Sequence, residues 1–296
     1  MGRWLIFLCL LLAKLSLARE VGLQWASDGQ NVLLSWDRPG LEMTLYRSTQ
    51  PFELEDLKTP TFPICKIVGL GMANTYLDNR LAPDTDYFYA GSTPDGWWFT
   101  ADPVHLPARP LPDELIDPWI LVDKLNYSLE VYSDGRIAKR YPIALGSSPR
   151  KRKLHQDRAS TPEGRYEICG VQPKATFYKA YDVSYPNQAD RARHKLLAPK
   201  TPIGGEIQIH GGGIEDNWTW GCIAMRNQDL DELFRHPEIA RGTVLWIVGS
   251  ELSCQDLECD EQAPAIDPVE LGHWQRRCKL PVSCLRDKAT RARQGP

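Results

Sequence analysis

The sequence has little that would draw it to nucleic acid, to a nucleotide cofactor or, beyond its first residues, into a membrane. Its formal net charge is −3 at pH 7, and its basic stretches lack interleaved aromatic residues, so we expect no nucleic-acid partner. No Rossmann or P-loop glycine pattern is present, and we expect no cofactor. The 296 residues, of which 42% are hydrophobic and 25% are charged, are enough for two globular domains.

The first 18 residues predict export from the cytoplasm. Arg3 precedes an apolar run at residues 4–13, and the small residues Ser16 and Ala18 stand before a cleavage point, as in a secretory signal peptide. Lys14 interrupts this pattern, and an uncleaved membrane anchor is the alternative. We therefore expect a protein of the periplasm or cell envelope. No later apolar run is long enough to span a bilayer.

Four of the eight cysteines lie in a C-terminal appendage, residues 251–296. An exported chain meets an oxidising environment, so two disulfides are expected there, in any of three pairings. The spacings fit zinc motifs poorly, and we expect no metal. Two further cysteines, Cys65 and Cys169, fall in different predicted domains, where a bridge and two buried thiols are both open. The four clustered cysteines are Cys254, Cys259, Cys278 and Cys284.

Residues 19–105 have the pattern of a β-sandwich. Short alternating runs such as Val32, Leu34 and Trp36 are separated by turn residues such as Pro39-Gly40. The early tryptophan, the Tyr-Arg-Ser element at residues 46–48 and a Leu-x-Pro-x-Thr-x-Tyr corner at residues 81–87 resemble a fibronectin type III domain. Such a domain binds or spaces, and an envelope protein such as a wall-linked lipoprotein is a candidate partner.

A proline-rich linker at residues 106–116 precedes a second, mostly β domain at residues 117–250. Strand-like segments open and close this domain, and Ser133-Asp134-Gly135 is predicted to form a hairpin turn between two of them. The basic run at residues 150–153 is interpreted as a solvated loop. The strand-like segments are residues 119–122, 127–132, 137–145 and 242–248.

A glycine-rich stretch from Ile207 to Asn227 contains a histidine and a cysteine in a setting that fits nucleophilic catalysis. The thiol of Cys222 has an ordinary pKa of about 8.5 and attacks as thiolate only if a base takes its proton. His210, at the end of a predicted buried strand, is the candidate base, and Asn227 is predicted to cap a following amphipathic helix. A packing or metal role is the competing interpretation of such a pair.

This stretch resembles the signature of L,D-transpeptidase (YkuD-type) catalytic domains, in which a His-Gly pair precedes a Ser/Thr-x-Gly-Cys element and a short apolar run. Residues 219–222 form that element here. Trp220 stands where many members have a second histidine, and Ala224 where many have arginine. Two more motifs of the family occur in the family's order, DRASTPEGRY at residues 157–166 and DVSYPNQAD at residues 182–190.

The resemblance implies an enzyme that acts on peptidoglycan stem peptides through an acyl-enzyme, in a mostly β domain with a short helix after the cysteine. Cys222 is the implied nucleophile and His210 its general base. Backbone amides of Trp220 and Gly221 are the expected oxyanion hole. Two further groups are implied: Gly211 and Thr219 in the loop that orients the histidine, and Tyr185, Asn187 and Asp190, which either bind the substrate or fasten a loop.

Three functions remain open from the sequence. Transfer of the acyl group to an amine, by cross-linking, D-amino-acid exchange or lipoprotein attachment, is the leading prediction because it is the family's majority activity. Transfer to water, by the same two residues, would make the protein an endopeptidase, a carboxypeptidase or a detaching amidase. A non-catalytic wall-binding module is the third.

Overall fold

The computed structural model describes residues 22–37, 42–58, 60–67, 74–149, 151–156 and 160–249. The predicted signal peptide and the C-terminal appendage with its four cysteines lie outside the described residues, as does the turn predicted at Pro39-Gly40. Neither helix within the described ranges is long and apolar enough to cross a membrane.

The N-terminal region is a sandwich of two antiparallel sheets, as predicted. One sheet has the order β1-β2-β5, the other has the order β4-β3-β6-β7, and β8 also pairs with β6. Inward-facing residues at alternate positions, among them Leu34, Trp36 and Leu45, form a common core between the sheets. The strands are β1 (Leu23–Ser27), β2 (Val32–Trp36), β3 (Thr44–Ser48), β4 (Ile64–Ile67), β5 (Thr75–Asp78), β6 (Thr85–Ser92), β7 (Trp98–Thr100) and β8 (Val104–Leu106).

The second domain is built on an eight-stranded sheet with the order β11-β10-β9-β16-β12-β13-β14-β15. The last strand in sequence, β16, lies in the middle of this sheet, parallel to β9 and antiparallel to β12. Its strands are β9 (Trp119–Asp123), β10 (Ser128–Ser133), β11 (Arg136–Pro142), β12 (Gly164–Ala175), β13 (Tyr178–Val183), β14 (Gln208–His210), β15 (Ile223–Ala224) and β16 (Val244–Val248).

The central strand β9 is buried along its whole length because both of its faces are covered. Ile120 and Val122 point into the main core, while Trp119 and Leu121 belong to a smaller cluster on the other face. In that cluster the ring of Trp119 stacks on Tyr132 with a centroid distance of 3.9 Å. This two-sided burial explains an apolar run with no polar alternation.

Two helices accompany this sheet. The first, α1 (Gln188–Leu197), was not predicted, and the second, α2 (Asn227–Phe234), is the predicted helix after the cysteine. The predicted cap is wrong: Arg226 occupies the N-cap position, and Asn227 is the first helical residue. The side-chain oxygen of Asn227 instead accepts a 2.9 Å hydrogen bond from the backbone N–H of Gly212, which anchors the glycine-rich loop to the helix.

Candidate active site

The two predicted catalytic residues lie on neighbouring strands at one edge of the sheet. His210 ends β14, and Cys222 directly precedes β15, which runs parallel to β14 with Ile209 opposite Ile223. Both side chains line one cleft with a volume of about 1470 Å³. Ala224 lies opposite His210, and Cys222 is two residues before Ala224. Because residues two apart along a strand face the same side of a sheet, His210 and Cys222 point to the same side.

The ring of His210 is held in one orientation by a backbone carbonyl and two aromatic rings. Its Nδ1 lies 2.6 Å from the carbonyl oxygen of Gly211. A carbonyl oxygen only accepts, so Nδ1 donates its proton and Nε2 keeps the lone pair that a base needs. Phe177 and Trp218 pack against the imidazole, with centroid distances of 5.0 and 5.4 Å. Burial lowers the pKa of His210, although its bond to Gly211 opposes this effect, and the ring is therefore neutral near pH 7.

The thiol of Cys222 is also neutral in the resting site. Burial raises its pKa above the ordinary value, although a hydrogen bond from the backbone of Gln208 and the positive charge of Lys153 act in the opposite direction. The Sγ atom lies 3.5 Å from the carbonyl oxygen of Glu206, an acceptor for the thiol proton. A thiol with a raised pKa can attack only if a nearby neutral base takes its proton during the attack.

A tight turn presents the cysteine, and Gly221 and Thr219 shape it. The hydroxyl of Thr219 donates a 2.7 Å hydrogen bond to the carbonyl oxygen of Cys222, and the N–H of Gly221 lies 3.4 Å from the same hydroxyl. Gly221 has φ of +115°, and a Cβ there would lie 2.6 Å from the carbonyl oxygen of Ser160. Glycine is therefore required at this position. Thr219 stabilises the turn that presents Cys222.

Trp220, placed by sequence reasoning at the oxyanion hole, lines the same cleft with its side chain 67% exposed. Its backbone belongs to the turn before Cys222, and its indole stands at the mouth of the cleft. The exposed indole therefore offers a flat aromatic surface next to Cys222.

The three residues predicted either to bind substrate or to fasten a loop lie away from the described lining of the cleft. Asn187 and Asp190 form a reciprocal capping box at the start of α1, with hydrogen bonds of 2.9 and 3.0 Å. Asp190 also accepts a bond from the hydroxyl of Tyr166, and Tyr185 donates to the carbonyl oxygen of Ile203. These contacts correspond to the second of the two roles.

Several residues at the cleft were missed by sequence reasoning. Lys153, in the basic run interpreted as a solvated loop, is only 4% exposed and faces the cleft. Phe177 reaches His210 from the β12–β13 turn, which no local motif announces. The carboxylate of Asp182 accepts hydrogen bonds of 2.7 Å from the amide groups of Gln172 and Gln208, which fixes one wall.

The structure shows no disulfide bridge between the two cysteines left open by the sequence. Cys65 is buried in the sandwich, whereas Cys169 is exposed and lines the same cleft as Cys222. The alternative of a bridge between Cys65 and Cys169 is therefore excluded, and one of the two thiols is not buried as expected.

The sandwich contacts the glycine-rich loop of the second domain directly. The N–H of Asn217 donates to the carbonyl oxygen of Thr61 over 2.8 Å, and the amide of Gln50 donates to the carbonyl oxygen of Glu215. Near the start of α2, Arg226 donates a 2.7 Å bond to the carbonyl oxygen of Asp84. The loop that follows His210 is thus fixed from outside its own domain.

Family comparison agrees with this geometry. Residues 117–247 match the YkuD family model, described as the L,D-transpeptidase catalytic domain. This segment belongs to the L,D-transpeptidase catalytic-domain family. The matched range begins just before β9 and ends within β16, so it takes in all eight strands of the sheet except the last residue of β16 and leaves the sandwich outside.

Individual relatives cover parts of the chain. YafK of Escherichia coli (strain K12), provisionally named an L,D-transpeptidase, is 35% identical over 123 residues, which are 40% of this chain and 46% of YafK. The chain thus spans about half the length of that relative. YqjB of Bacillus subtilis (strain 168), with the same provisional name, is 26% identical over 161 residues, which are 52% of this chain and 83% of YqjB.

For the sandwich, a solved Fn3-like protein from Clostridium thermocellum is 22% identical and covers 28% of this chain and 82% of its own, with a TM-score of 0.21. A TM-score of 0.21 does not establish that the two proteins share a fold. The fibronectin type III-like character of the sandwich therefore stays a resemblance, while its two-sheet architecture is observed.

Proposed function

We propose that the protein is an exported acyltransferase that uses Cys222 to cut and rejoin peptide bonds of peptidoglycan stem peptides. The observation that carries this proposal is the pairing of Cys222 with a neutral, oriented His210 in one cleft. The substrate class comes from the family, and the names of the two relatives support the transfer reaction. A wall-binding role without catalysis gives no reason for an imidazole held with its Nε2 lone pair available.

The first half of the proposed reaction forms an acyl-enzyme. Nε2 of His210 takes the thiol proton as Sγ of Cys222 attacks the carbonyl carbon of an L-centred residue bonded to a D-amino acid. The tetrahedral intermediate collapses, the carbon–nitrogen bond breaks, and the protonated imidazole returns its proton to the leaving amine. The low pKa of His210 suits this second transfer, because an imidazolium in a buried site gives up its proton readily.

Charge that develops on the carbonyl oxygen needs donors in place before the reaction. The amides of Trp220, Gly221 and Cys222 lie in the turn that Thr219 shapes, and we assign the oxyanion hole to this turn. The weak 3.4 Å contact between the Gly221 N–H and Thr219 is one that an oxyanion could replace. Loss of a donor of this kind typically lowers the rate by about 100-fold or more.

In the second half, an amine attacks the thioester, His210 accepts its proton, and the new peptide bond forms as the thiol is regenerated. Water in place of the amine would give hydrolysis with the same residues. The amine acceptor leads because relatives in this family are named for transfer. Because the substrate lies outside the cytoplasm, the proposal includes export through residues 1–18 and an envelope partner for the sandwich.

Mass spectrometry of peptidoglycan fragments incubated with the purified protein tests the proposal. New cross-linked or D-amino-acid-exchanged products are expected with the wild type and should be absent with Cys222→Ala and His210→Ala. Cys169→Ala is the matched control, because it removes the other thiol of the cleft and should leave the products unchanged.

Shortened or detached peptides without new bonds would assign the protein to the hydrolases instead. Identical digests from wild type and Cys222→Ala would reject catalysis and favour a wall-binding module. Export has its own test, since a mature N-terminus at Arg19 or Glu20 in the secreted protein shows cleavage after the predicted signal.

A further inference from the structure

The carboxylate of Asp182 is fixed in one wall of the catalytic cleft by two glutamines. Asp182 lies on β13, opposite Gly170 of β12 on one side and Gln208 of β14 on the other. Its Oδ1 accepts hydrogen bonds of 2.7 Å from the side-chain amides of Gln172 and Gln208. All three of these side chains line the cleft. Two short hydrogen bonds from neighbouring strands give the carboxylate one defined position.

The strand on the other side of β13 leaves room for this carboxylate. A Cβ added to Gly170 would overlap Oδ2 of Asp182. The backbone of Gly170 does not have the left-handed conformation that would itself favour glycine. The lack of a side chain at Gly170 is therefore explained by the space that Asp182 occupies, and a larger residue would push the carboxylate away from the two amides.

Gln208 connects the carboxylate to the nucleophile and to its base. It is the first residue of β14, a strand of three residues that ends at His210. The parallel register of β14 and β15 puts Cys222 beside Gln208. The backbone N–H of Gln208 is directed at Sγ of Cys222, where a donor favours the thiolate. A strand this short has few ladder bonds of its own, so the bond to Asp182 helps to fix where this N–H points.

We propose that Asp182 is a positioning residue for the nucleophile, because it holds Gln208 so that the backbone N–H of Gln208 stays directed at Sγ of Cys222. This inference rests on the proposed function, in which the thiol proton passes to Nε2 of His210 and negative charge develops on Sγ. A donor that is already in place stabilises this charge without having to move. Because β14 lies between β13 and Cys222, Asp182 acts through Gln208 and not on the sulfur directly.

A negative charge near a thiol has the opposite effect from a hydrogen-bond donor. If Asp182 acted on Cys222 by its charge alone, its removal would make the thiolate easier to form. If Asp182 acts by holding Gln208, its removal makes the thiolate harder to form. Lys153 and Glu206, whose charges also act on the thiol, are unchanged in every variant below. The two explanations therefore differ in the sign of the effect.

Labelling of Cys222 by iodoacetamide at pH 8, followed by mass spectrometry of the labelled peptide, tests the assignment. Asp182→Ala should label about 10-fold more slowly than the wild type, the effect expected when one hydrogen bond to a charged group is lost. Asp182→Asn should label at nearly the wild-type rate, because its side-chain oxygen can still accept from Gln208. Labelling of Asp182→Ala at the wild-type rate or faster would overturn the assignment.

Two further variants show whether the effect passes through Gln208. Gly170→Ala keeps the charge of Asp182 but displaces its carboxylate, and it should slow labelling as Asp182→Ala does. In Gln208→Leu the link is already absent, so adding Asp182→Ala should have no further effect, and full additivity of the two changes would contradict the proposal. Glu167→Ala is the matched control, because Glu167 is a carboxylate on β12 that pairs with Arg165 outside the described lining of the cleft.

The assignment and the function it rests on fail in different ways. If Cys222→Ala leaves peptidoglycan digests unchanged, the proposed function is rejected, whereas the labelling rates still report on the contact between Gln208 and the thiol. In the active enzyme, Asp182→Ala should lower kcat about 10-fold with little change in KM. A higher KM with unchanged kcat would assign Asp182 to substrate binding and reject the positioning role. Unfolding would expose the thiol and speed its labelling, so slower labelling is not a sign of lost fold.

Discussion

The backbone N–H of Asn217 donates a 2.8 Å hydrogen bond to the carbonyl oxygen of Thr61. The bond joins the sandwich to the loop between His210 and Cys222, and a second one, from Gln50 to Glu215, runs beside it. Inside its own domain the side chain of Asn217 reaches back to the N–H of Leu145 over 3.1 Å. Through these two hydrogen bonds the sandwich holds the loop between His210 and Cys222 in place, in addition to any partner it binds.

Removing one of the two hydrogen bonds between the sandwich and this loop should slow catalysis without unfolding either domain. In Gln50→Ala the loop loses a side-chain donor, and we expect kcat/KM to fall about fivefold, the equivalent of one hydrogen bond of roughly 1 kcal/mol. Thermal unfolding should change little, because Gln50 is only half-buried. Gln24→Ala, on exposed β1, is the matched control. Unaltered kinetics in Gln50→Ala would mean that the loop is held from its own domain alone.

The aromatic cover of the histidine should set the acid limb of the pH–rate profile. Phe177 is 43% exposed and packs on His210 and Trp218. Phe177→Ala admits water to the imidazole, which raises the pKa of His210 back towards its ordinary value of about 6.5. Because the base must be neutral, the acid limb of kcat/KM moves to higher pH, and the variant loses more activity at pH 6 than at pH 8.

In Phe177→Ala the ring of His210 is also held less firmly, and we expect the maximal kcat/KM of the pH profile to fall by roughly 10-fold or more. Val171→Ala, at a similarly exposed apolar position on the same β12 strand, should change neither the plateau nor the limb. A profile for Phe177→Ala that drops uniformly at every pH would show that the ring positions His210 but does not control its protonation.

The resting thiol should resist alkylation at neutral pH. Burial raises the pKa of Cys222, so its labelling by iodoacetamide in the absence of substrate should reach half its maximal rate above pH 8.5. His210→Ala should leave that midpoint nearly unchanged, because a neutral imidazole contributes no charge to the thiolate. Cys222→Ser identifies the signal against Cys169. A midpoint below about pH 7 that rises in His210→Ala would reveal a preformed thiolate–imidazolium pair instead.

A buried ion pair should govern the stability of the turn beneath the nucleophile. Nζ of Lys124 lies 2.9 Å from Oε1 of Glu163, both side chains are fully buried, and Nζ also donates to the carbonyl oxygen of Thr161. Lys124→Met removes a cation that lies against a buried carboxylate, and we expect the free energy of unfolding in urea to fall by about 3–5 kcal/mol. Adding Glu163→Leu should recover part of that loss. If the losses in unfolding free energy from Lys124→Met and Glu163→Leu simply add in the double variant, the two groups do not interact.

Sequence patterns predicted well wherever a residue's neighbours along the chain decide its environment. The alternation in the sandwich and the apolar run of β9 both appear as strands, because burial on one or two faces is written directly into local hydrophobicity. His210 and Cys222 were found together because a strand end and a glycine turn are also local features. The same reasoning missed α1, although the Asn187-x-x-Asp190 capping box was present as its signal.

Other features depend on contacts between distant segments. Lys153 belongs to a run of four basic residues, and its burial involves Ser160 and Gly221, which are distant from it along the chain or belong to another motif. Phe177 meets His210 because β13 pairs with β14, and the turn before β13 carries the ring over the imidazole. The hydrogen bond between Asn217 and Thr61 joins residues of separate domains. None of these contacts leaves a periodic trace in the sequence.

The central position of β16 has a consequence for the order in which the molecule can be completed. The strands that carry His210 and Cys222 connect to the β9–β11 meander through residues 244–248, which are synthesised after both catalytic residues. A nascent chain that already contains Cys222 still lacks β16, the strand that joins the two halves of its sheet. We therefore expect a chain that ends before residue 244 to lack a folded L,D-transpeptidase-like domain, although it already contains both His210 and Cys222.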